Sequence, residues 1–252
     1  MPLMIELPAD EYRDLVAQIA REISVRRPLA AAAPAVSLAS MIESTLLRPD
    51  TTAAGIDQLC DDAARHGFAA VCVNPVWIAR AAARLRPTPV RVVAVVGFPL
   101  GANGAAVKQF EAAECLKLGA DELDVVLDIG GLKAGADAAV EAELAAIVQR
   151  AHAAGAAVKA ILELPLLNAE EKARAARFAL AAGADFLKTS TGFLSPRGVT
   201  VEDVALLRTL AQGRAGIKAA GGIRTLVQAQ ALAAAGATRL GTSAAVAMLA
   251  ES

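Results

Sequence analysis

Ala182-Gly183-Ala184-Asp185-Phe186-Leu187-Lys188-Thr189-Ser190-Thr191-Gly192 closes one element and opens the next. A glycine after a helix supplies the left-handed backbone that other residues resist. The apolar run behind it has the length and flanks of a buried strand. The same join recurs at His66-Gly67-Phe68-Ala69, Leu118-Gly119-Ala120-Asp121, Ala154-Gly155-Ala156-Ala157 and Ala235-Gly236-Ala237-Thr238. Working outward from these joins, strands are expected at Ser37–Ile42, Ala69–Val73, Val90–Gly97, Glu122–Leu127, Ala157–Leu162, Phe186–Thr189, Gly216–Ala219 and Arg239–Gly241. Seven segments between them are long enough for helices, and Ser243–Ala250 supplies an eighth. Repeated strand–helix units make a parallel sheet, and eight of them close into an α/β fold of the (β/α)8 TIM-barrel class. A doubly wound open sheet is the alternative. It usually carries a Gly-rich phosphate turn after its first strand, and none follows Ser37–Ile42.

The 252 residues suit one large α/β domain, since barrels of about 250 residues are ordinary single domains. Hydrophobic content of 56% with only 3% aromatics means a core of Ala, Val, Leu and Ile, suited to helices packed closely on parallel strands. Ahead of the barrel, Pro8 to Ile23 has a helical period at Leu15, Val16, Ile19 and Ile23, and Arg26 to Pro34 reads as a linker. Residues 1–35 are therefore expected to form a helical extension and 36–252 the barrel. Ala-rich outer helices and this extension suggest a homodimer. The 25 basic and 26 acidic residues nearly cancel without a basic run, so neither a nucleic-acid nor an anionic-membrane partner is indicated. Mean hydropathy is +0.47, yet no apolar run reaches the roughly 18 residues of a membrane helix. The early acidic residues do not read as a secretory signal, and Cys60, Cys72 and Cys115 lack zinc spacing. Reduced thiols in a cytoplasmic protein are the expectation.

In a barrel, active-site groups sit at the C-terminal ends of strands and on the loops that follow. Those places hold Glu43, Ser44 and Thr45 on strand one, Cys72 and Asn74 on strand two, and Asp124 on strand four. Strand five carries Lys159 and Glu163, strand six Lys188, Thr189 and Thr191, and strand seven Lys218. Of only seven lysines in the chain, Lys188 stands inside an apolar run. Desolvation there disfavours the ammonium, and a neutral amine attacks carbonyls to form a Schiff base. A lysine whose head snorkels to water is the alternative. Asp124, Lys159, Lys188 and Lys218 come from four consecutive strands, so inward side chains would meet in the lumen. They form either an ion network that only fixes packing or a site in which the Lys218 charge keeps Lys188 neutral while Asp124 moves protons. Lys218-Ala219-Ala220-Gly221-Gly222-Ile223-Arg224 and Gly241-Thr242-Ser243 are phosphate-type turns, or tight turns without a ligand. Gly97-Phe98-Pro99-Leu100-Gly101-Ala102-Asn103 either lines the site or turns the chain. His66 and His152 fall at helix ends away from the site.

Val71-Cys72-Val73-Asn74-Pro75, Gly97 to Asn103, Ala120-Asp121-Glu122-Leu123-Asp124, Gly183 to Gly192 and Lys218 to Arg224 resemble, in order, the motifs of the deoxyribose-phosphate aldolase family. The resemblance runs from about Ile42 to Val246. It implies a class I aldolase cleaving 2-deoxyribose 5-phosphate to glyceraldehyde 3-phosphate and acetaldehyde, with no metal or other cofactor. By the same resemblance Lys188 is the nucleophile, and Asp124 and Lys218 are the proton-relay pair. Thr191, Gly192, Gly221, Gly222, Gly241 and Ser243 hold the phosphate, while Thr45 and Cys72 line the pocket.

Several positions depart from the family pattern. Many relatives have Asp-His-Thr where this chain has Glu43-Ser44-Thr45, and a lysine in place of Arg48. Glu-Thr is common where Glu163-Leu164-Pro165 stands. Phe193 replaces a phosphate-facing lysine of some relatives, and the tail lacks the tyrosine with which some members end. A more open site, with lower phosphate selectivity or altered turnover, is expected. Alternative readings are a Schiff-base lyase or transferase of the same family acting on another phosphorylated sugar, and a non-catalytic sugar-phosphate-binding barrel.

Overall fold

A computed structural model describes residues 37–250, together with Asp14. The helix expected over Pro8 to Ile23 and the linker to Pro34 lie outside this set, apart from Asp14, which is helical. Eight parallel strands close into a barrel in sequence order: β1 Ile42–Leu46, β2 Ala70–Val73, β3 Arg91–Val96, β4 Glu122–Val126, β5 Ala157–Ile161, β6 Phe186–Lys188, β7 Gly216–Ala220 and β8 Arg239–Thr242. Around them run α1 Ala53–His66, α2 Ile78–Leu85, α3 Ala105–Lys117, α4 Ile129–Lys133, α5 Asp137–Ala153, α6 Ala169–Ala181, α7 Val201–Ala211, α8 Leu226–Ala235 and α9 Ala245–Leu249. The helix-end glycines at 67, 119, 155, 183 and 236 all have positive φ, from 66° to 116°. The repeat read in the sequence is thus a repeat of backbone conformation.

The first expected strand is displaced. Leu38–Met41 coils into a 3₁₀ turn, and the ladder starts at Ile42, whose carbonyl accepts from Ala69 N–H at 2.9 Å. Leu-Ala-Ser-Met has no β-branched residue, and Ser40 donates to the Ser37 carbonyl instead of leaving it for a ladder. Glu43, Ser44 and Thr45 consequently lie within β1, not beyond its end. The last helix is shorter than expected, Ala245–Leu249.

Alternation along the strands separates two interiors. Outward residues such as Val71, Val92 and Leu123 join Ile56, Ala81 and Leu144 of the helices in the main apolar core. Inward residues fill the lumen unevenly. Ala70, Cys72, Val93 and Val95 of β2 and β3, with Leu47 past β1, make an apolar half. The other half holds Glu122 and Asp124 of β4, Lys159 of β5, Lys188 of β6, Lys218 of β7 and, across the seam, Glu43 of β1, all 3% exposed or less.

Candidate active site

Strand register builds the charged half. Asp124 is the ladder partner of Lys159, and Lys188 of Lys218, so neighbouring strands present their charges at matching heights. Asp124 is the hub. Its Oδ2 accepts from Lys188 Nζ at 2.6 Å and from Lys218 Nζ at 2.6 Å, while Oδ1 lies 3.1 Å from Lys159 Nζ. Lys218 also contacts Glu43, and Lys159 contacts Glu122 and, at 3.5 Å, Glu43. Lys188 has one carboxylate contact where Lys218 has two and Lys159 three.

Burial alone would push the Asp124 carboxyl up, but the ammonium groups of Lys159, Lys188 and Lys218 hold it well below the usual carboxylate range. Burial likewise disfavours the Lys218 and Lys159 ammonium groups, and in both the Asp124 and Glu43 carboxylates win, holding them above the ordinary lysine value. Asp124 therefore favours its carboxylate form and Lys218 its ammonium form in this network.

The network reaches lower than the sequence reading had it. Glu122 also bonds Arg91 Nη1 at 2.8 Å, and Arg239 approaches Glu43 at 3.5 Å. Arg239 also lies over the Phe186 ring, 5.4 Å from its centroid. Gly216 makes room for that ring, because a Cβ there would stand 2.5 Å from it. The signal for Glu122 was available: it sits two residues before Asp124, expected to face the lumen, and so shares its face.

Above the lysines, Phe98 of the loop after β3 places its ring centroid 5.9 Å from Lys188 Nζ and meets Phe193 edge-on at 5.2 Å. The Gly97–Asn103 loop therefore lines the site. Cys72 belongs to the apolar wall beside Phe98, and burial pushes its thiol up to about 11.

The glycine turns meet between β6 and β7. Gly192 and Gly221 have φ of 78° and 110°, and a Cβ on Gly192 would stand 3.2 Å from the Gly221 Cα. Thr189 Oγ1 and Ser190 Oγ both donate to the Ala220 carbonyl, at 3.0 and 2.8 Å, locking the two loops together. Among the described residues, the N–H groups of Gly192, Gly221 and Gly222 make no hydrogen bond to the protein, which leaves them free for an anion. Thr191 N–H is taken by Glu163. Gly241 lies in β8, where a Cβ would stand 3.2 Å from Lys218 Cε, so the position gives the lysine stem its space. Ser243 is exposed and, with Ser44 and Thr45, lines a cleft of about 510 Å³ between α1 and α9. Thr45 Oγ1 donates to the Glu43 carbonyl at 3.0 Å. Thr242 Oγ1 donates to the Ile223 carbonyl at 2.7 Å, tying the loop after β7 to the end of β8.

The histidines stay away from this end. His66 stacks on Phe68, and His152 bonds Asp185 at the opposite mouth. The three cysteines are buried and unpaired. Among the described residues no group of three or more His, Cys, Asp or Glu is placed to hold a metal ion, and no helix is long and apolar enough to cross a membrane.

A lysine pair bridged by one carboxylate inside a barrel lumen is an arrangement for carbonyl chemistry. The DeoC/LacD family aldolase model matches residues 31–245. The chain belongs to the DeoC/LacD aldolase family. A deoxyribose-phosphate aldolase of a Geobacillus species is 49% identical over 213 residues, covering 84% of this chain and 95% of that protein. A putative deoxyribose-phosphate aldolase from Coccidioides immitis superposes with a TM-score of 0.84 at 34% identity, over 98% of this chain and 99% of the other. The Aeropyrum pernix deoxyribose phosphate aldolase, described as a unique tetramer, gives 0.80 at 35% identity over 95% and 97%. As a DeoC/LacD aldolase, the protein is a carbon–carbon lyase.

Proposed function

We propose that this aldolase cleaves 2-deoxyribose 5-phosphate into glyceraldehyde 3-phosphate and acetaldehyde, reversibly, through an imine on Lys188. The single observation that carries the reading is the Lys188–Asp124–Lys218 bridge, two contacts of 2.6 Å on one carboxylate oxygen. Lys188 is the least engaged of the three lumen lysines and the one at the end of its strand. Lys188 passes a proton to Asp124, its amine adds to the C1 aldehyde of the open-chain sugar, and that proton returns to the carbinolamine hydroxyl, which leaves as water and gives a protonated imine. The C3 hydroxyl proton passes, through a water, to the Asp124 carboxylate, while Lys218 stays an ammonium beside it. The C2–C3 bond breaks, C3 becomes the aldehyde of glyceraldehyde 3-phosphate, and the electron pair enters the imine as an enamine. Protonation at C2 and hydrolysis release acetaldehyde and free Lys188. The imine is the electron sink, so the scheme calls for no metal or other cofactor.

The apolar half of the lumen, which includes Cys72, Val95 and Phe98, suits the two-carbon fragment. The free N–H groups of Gly192, Gly221 and Gly222 suit the phosphate, with Thr191, Gly241 and Ser243 completing that arm by resemblance. A homo-oligomer is part of the same reading, supported by exposed Val107 and Phe110 on α3.

The test is a coupled assay of glyceraldehyde 3-phosphate release from 2-deoxyribose 5-phosphate, run beside other aldose and ketose phosphates. Preference for the 2-deoxy sugar supports the reading. Turnover of another sugar phosphate with none of this one replaces it.

A further inference from the structure

Glu163, just past β5, is a buried carboxylate that the catalytic scheme does not use. Its residue is 0% exposed, and among the described residues no lysine, arginine or histidine pairs with it. Oε2 accepts from Thr191 N–H at 2.7 Å, and Oε1 has no hydrogen-bond partner. The backbone is left-handed, φ 53° and ψ 52°. Gln212 is the other described non-glycine residue with positive φ, and it caps a helix, where that conformation is ordinary. Glu163 is no C-cap: it leads from β5 into the 3₁₀ turn Leu164–Leu166, where a left-handed backbone is not the rule. A buried carboxyl group with one unpartnered oxygen, on a strained backbone, is costly twice over, and such costs persist at functional positions.

The strain has a geometric result. Leu162 N–H reaches the Lys188 carbonyl at 3.0 Å and Leu164 N–H reaches the Thr189 carbonyl at 2.9 Å. With the Glu163 side chain on Thr191, three successive residues of one segment grip the whole path from Lys188 to Thr191. The grip ends one residue before Gly192, whose N–H is free and whose Cα rests against Gly221. By consuming Thr191 N–H, Glu163 removes that donor from any anion and fixes the turn that aims the next one.

We propose that Glu163 is a positioning residue for the phosphate arm: it sets the Thr191–Gly192 turn so that the glycine N–H groups of the β6 and β7 loops converge on the substrate phosphate. This rests on the reading of the site as a sugar-phosphate aldolase.

Glu163→Gly separates the roles, because glycine adopts the left-handed backbone freely, so the variant loses the side-chain grip on Thr191 without a backbone clash. The ratio of kcat/KM for 2-deoxyribose 5-phosphate to that for 2-deoxyribose is expected to fall about tenfold or more, through KM for the phosphorylated sugar. Glu163→Gln keeps a carbonyl oxygen for Thr191 N–H and is expected to restore most of the ratio. Affinity for inorganic phosphate, read by calorimetry on the same proteins, should follow the same order. An unchanged ratio, an equal loss on both sugars, or failure of Glu163→Gln to rescue would overturn the proposal. If the unaltered protein turned over neither sugar, the aldolase reading would fail, and the phosphate affinities alone would decide the role of Glu163.

Discussion

Asp124 holds two lysines on one oxygen and a third on the other, so its replacement disturbs every charge around it. Asp124→Asn is expected to lower kcat by about 10²-fold or more, as loss of a positioned proton-transfer group does, while a folded barrel is retained by circular dichroism. Asp124, Lys188 and Lys218 were legible in the sequence because a charge inside an apolar strand stands out. Glu163 was visible only as a polar residue at a strand end. Nothing in its neighbours announces a left-handed backbone, and its partner, Thr191 N–H, is a main-chain group that no pattern of side chains reveals.

At the scale of elements, α3 secures the loop that carries Phe98. Lys108 is fully buried, its Nζ 2.5 Å from Glu143 of α5 and 3.0 Å from the Val126 carbonyl at the end of β4. Its stem lies directly under Gly97, where a Cβ would stand 2.9 Å from Lys108 Cε. Lys108→Met alone is expected to cost about 3–5 kcal/mol, because it strands a buried carboxylate, whereas adding Glu143→Leu should recover most of that. Denaturant unfolding of the two single variants and the double variant checks this, and additive losses would contradict it. This pair escaped the sequence reading. Helical lysine and glutamate usually mark a solvated face, and only the close approach of α3 to α5 turns that face inward. The strands were legible to within a residue or two except the first, where an apolar run of helix-tolerant residues coils before the ladder begins. Gly216→Ala is a second test at this scale. It drives a Cβ into the Phe186 ring beneath the lysines, and overpacking of this kind typically costs about 1–3 kcal/mol, read as a lowered unfolding midpoint.

For the whole molecule, the division of the lumen matters most: an apolar half from β1 to β3 faces a charged half from β4 to β8 and Glu43. Composition predicted an aliphatic core but could not assign alternate faces of each strand to lumen or shell, since both are buried in a parallel barrel. The pH response of folding follows from the shifts. Asp124 is lowered in the folded state, so its contribution is present above the unfolded value of about 3.9 and is lost as pH falls through its lower folded value. Lys159 and Lys218 are raised, so theirs is complete below the unfolded value of about 10.4 and is lost only as pH rises beyond it. The stability difference between the parent and Asp124→Asn should therefore be flat from about pH 5 to pH 9 and shrink below about pH 4. A difference undiminished at low pH would contradict this assignment.

The central claim is that Lys188 forms a covalent imine, and borohydride trapping tests it most directly. The protein is incubated with 2-deoxyribose 5-phosphate and borohydride, digested, and mapped by peptide mass. A reduced adduct is expected on the Lys188 peptide, with the mass of the sugar phosphate or the two-carbon fragment, and none in Lys188→Ala. A folded protein that turns over the sugar but carries no adduct, or carries it on Lys218 or Lys159, would contradict it.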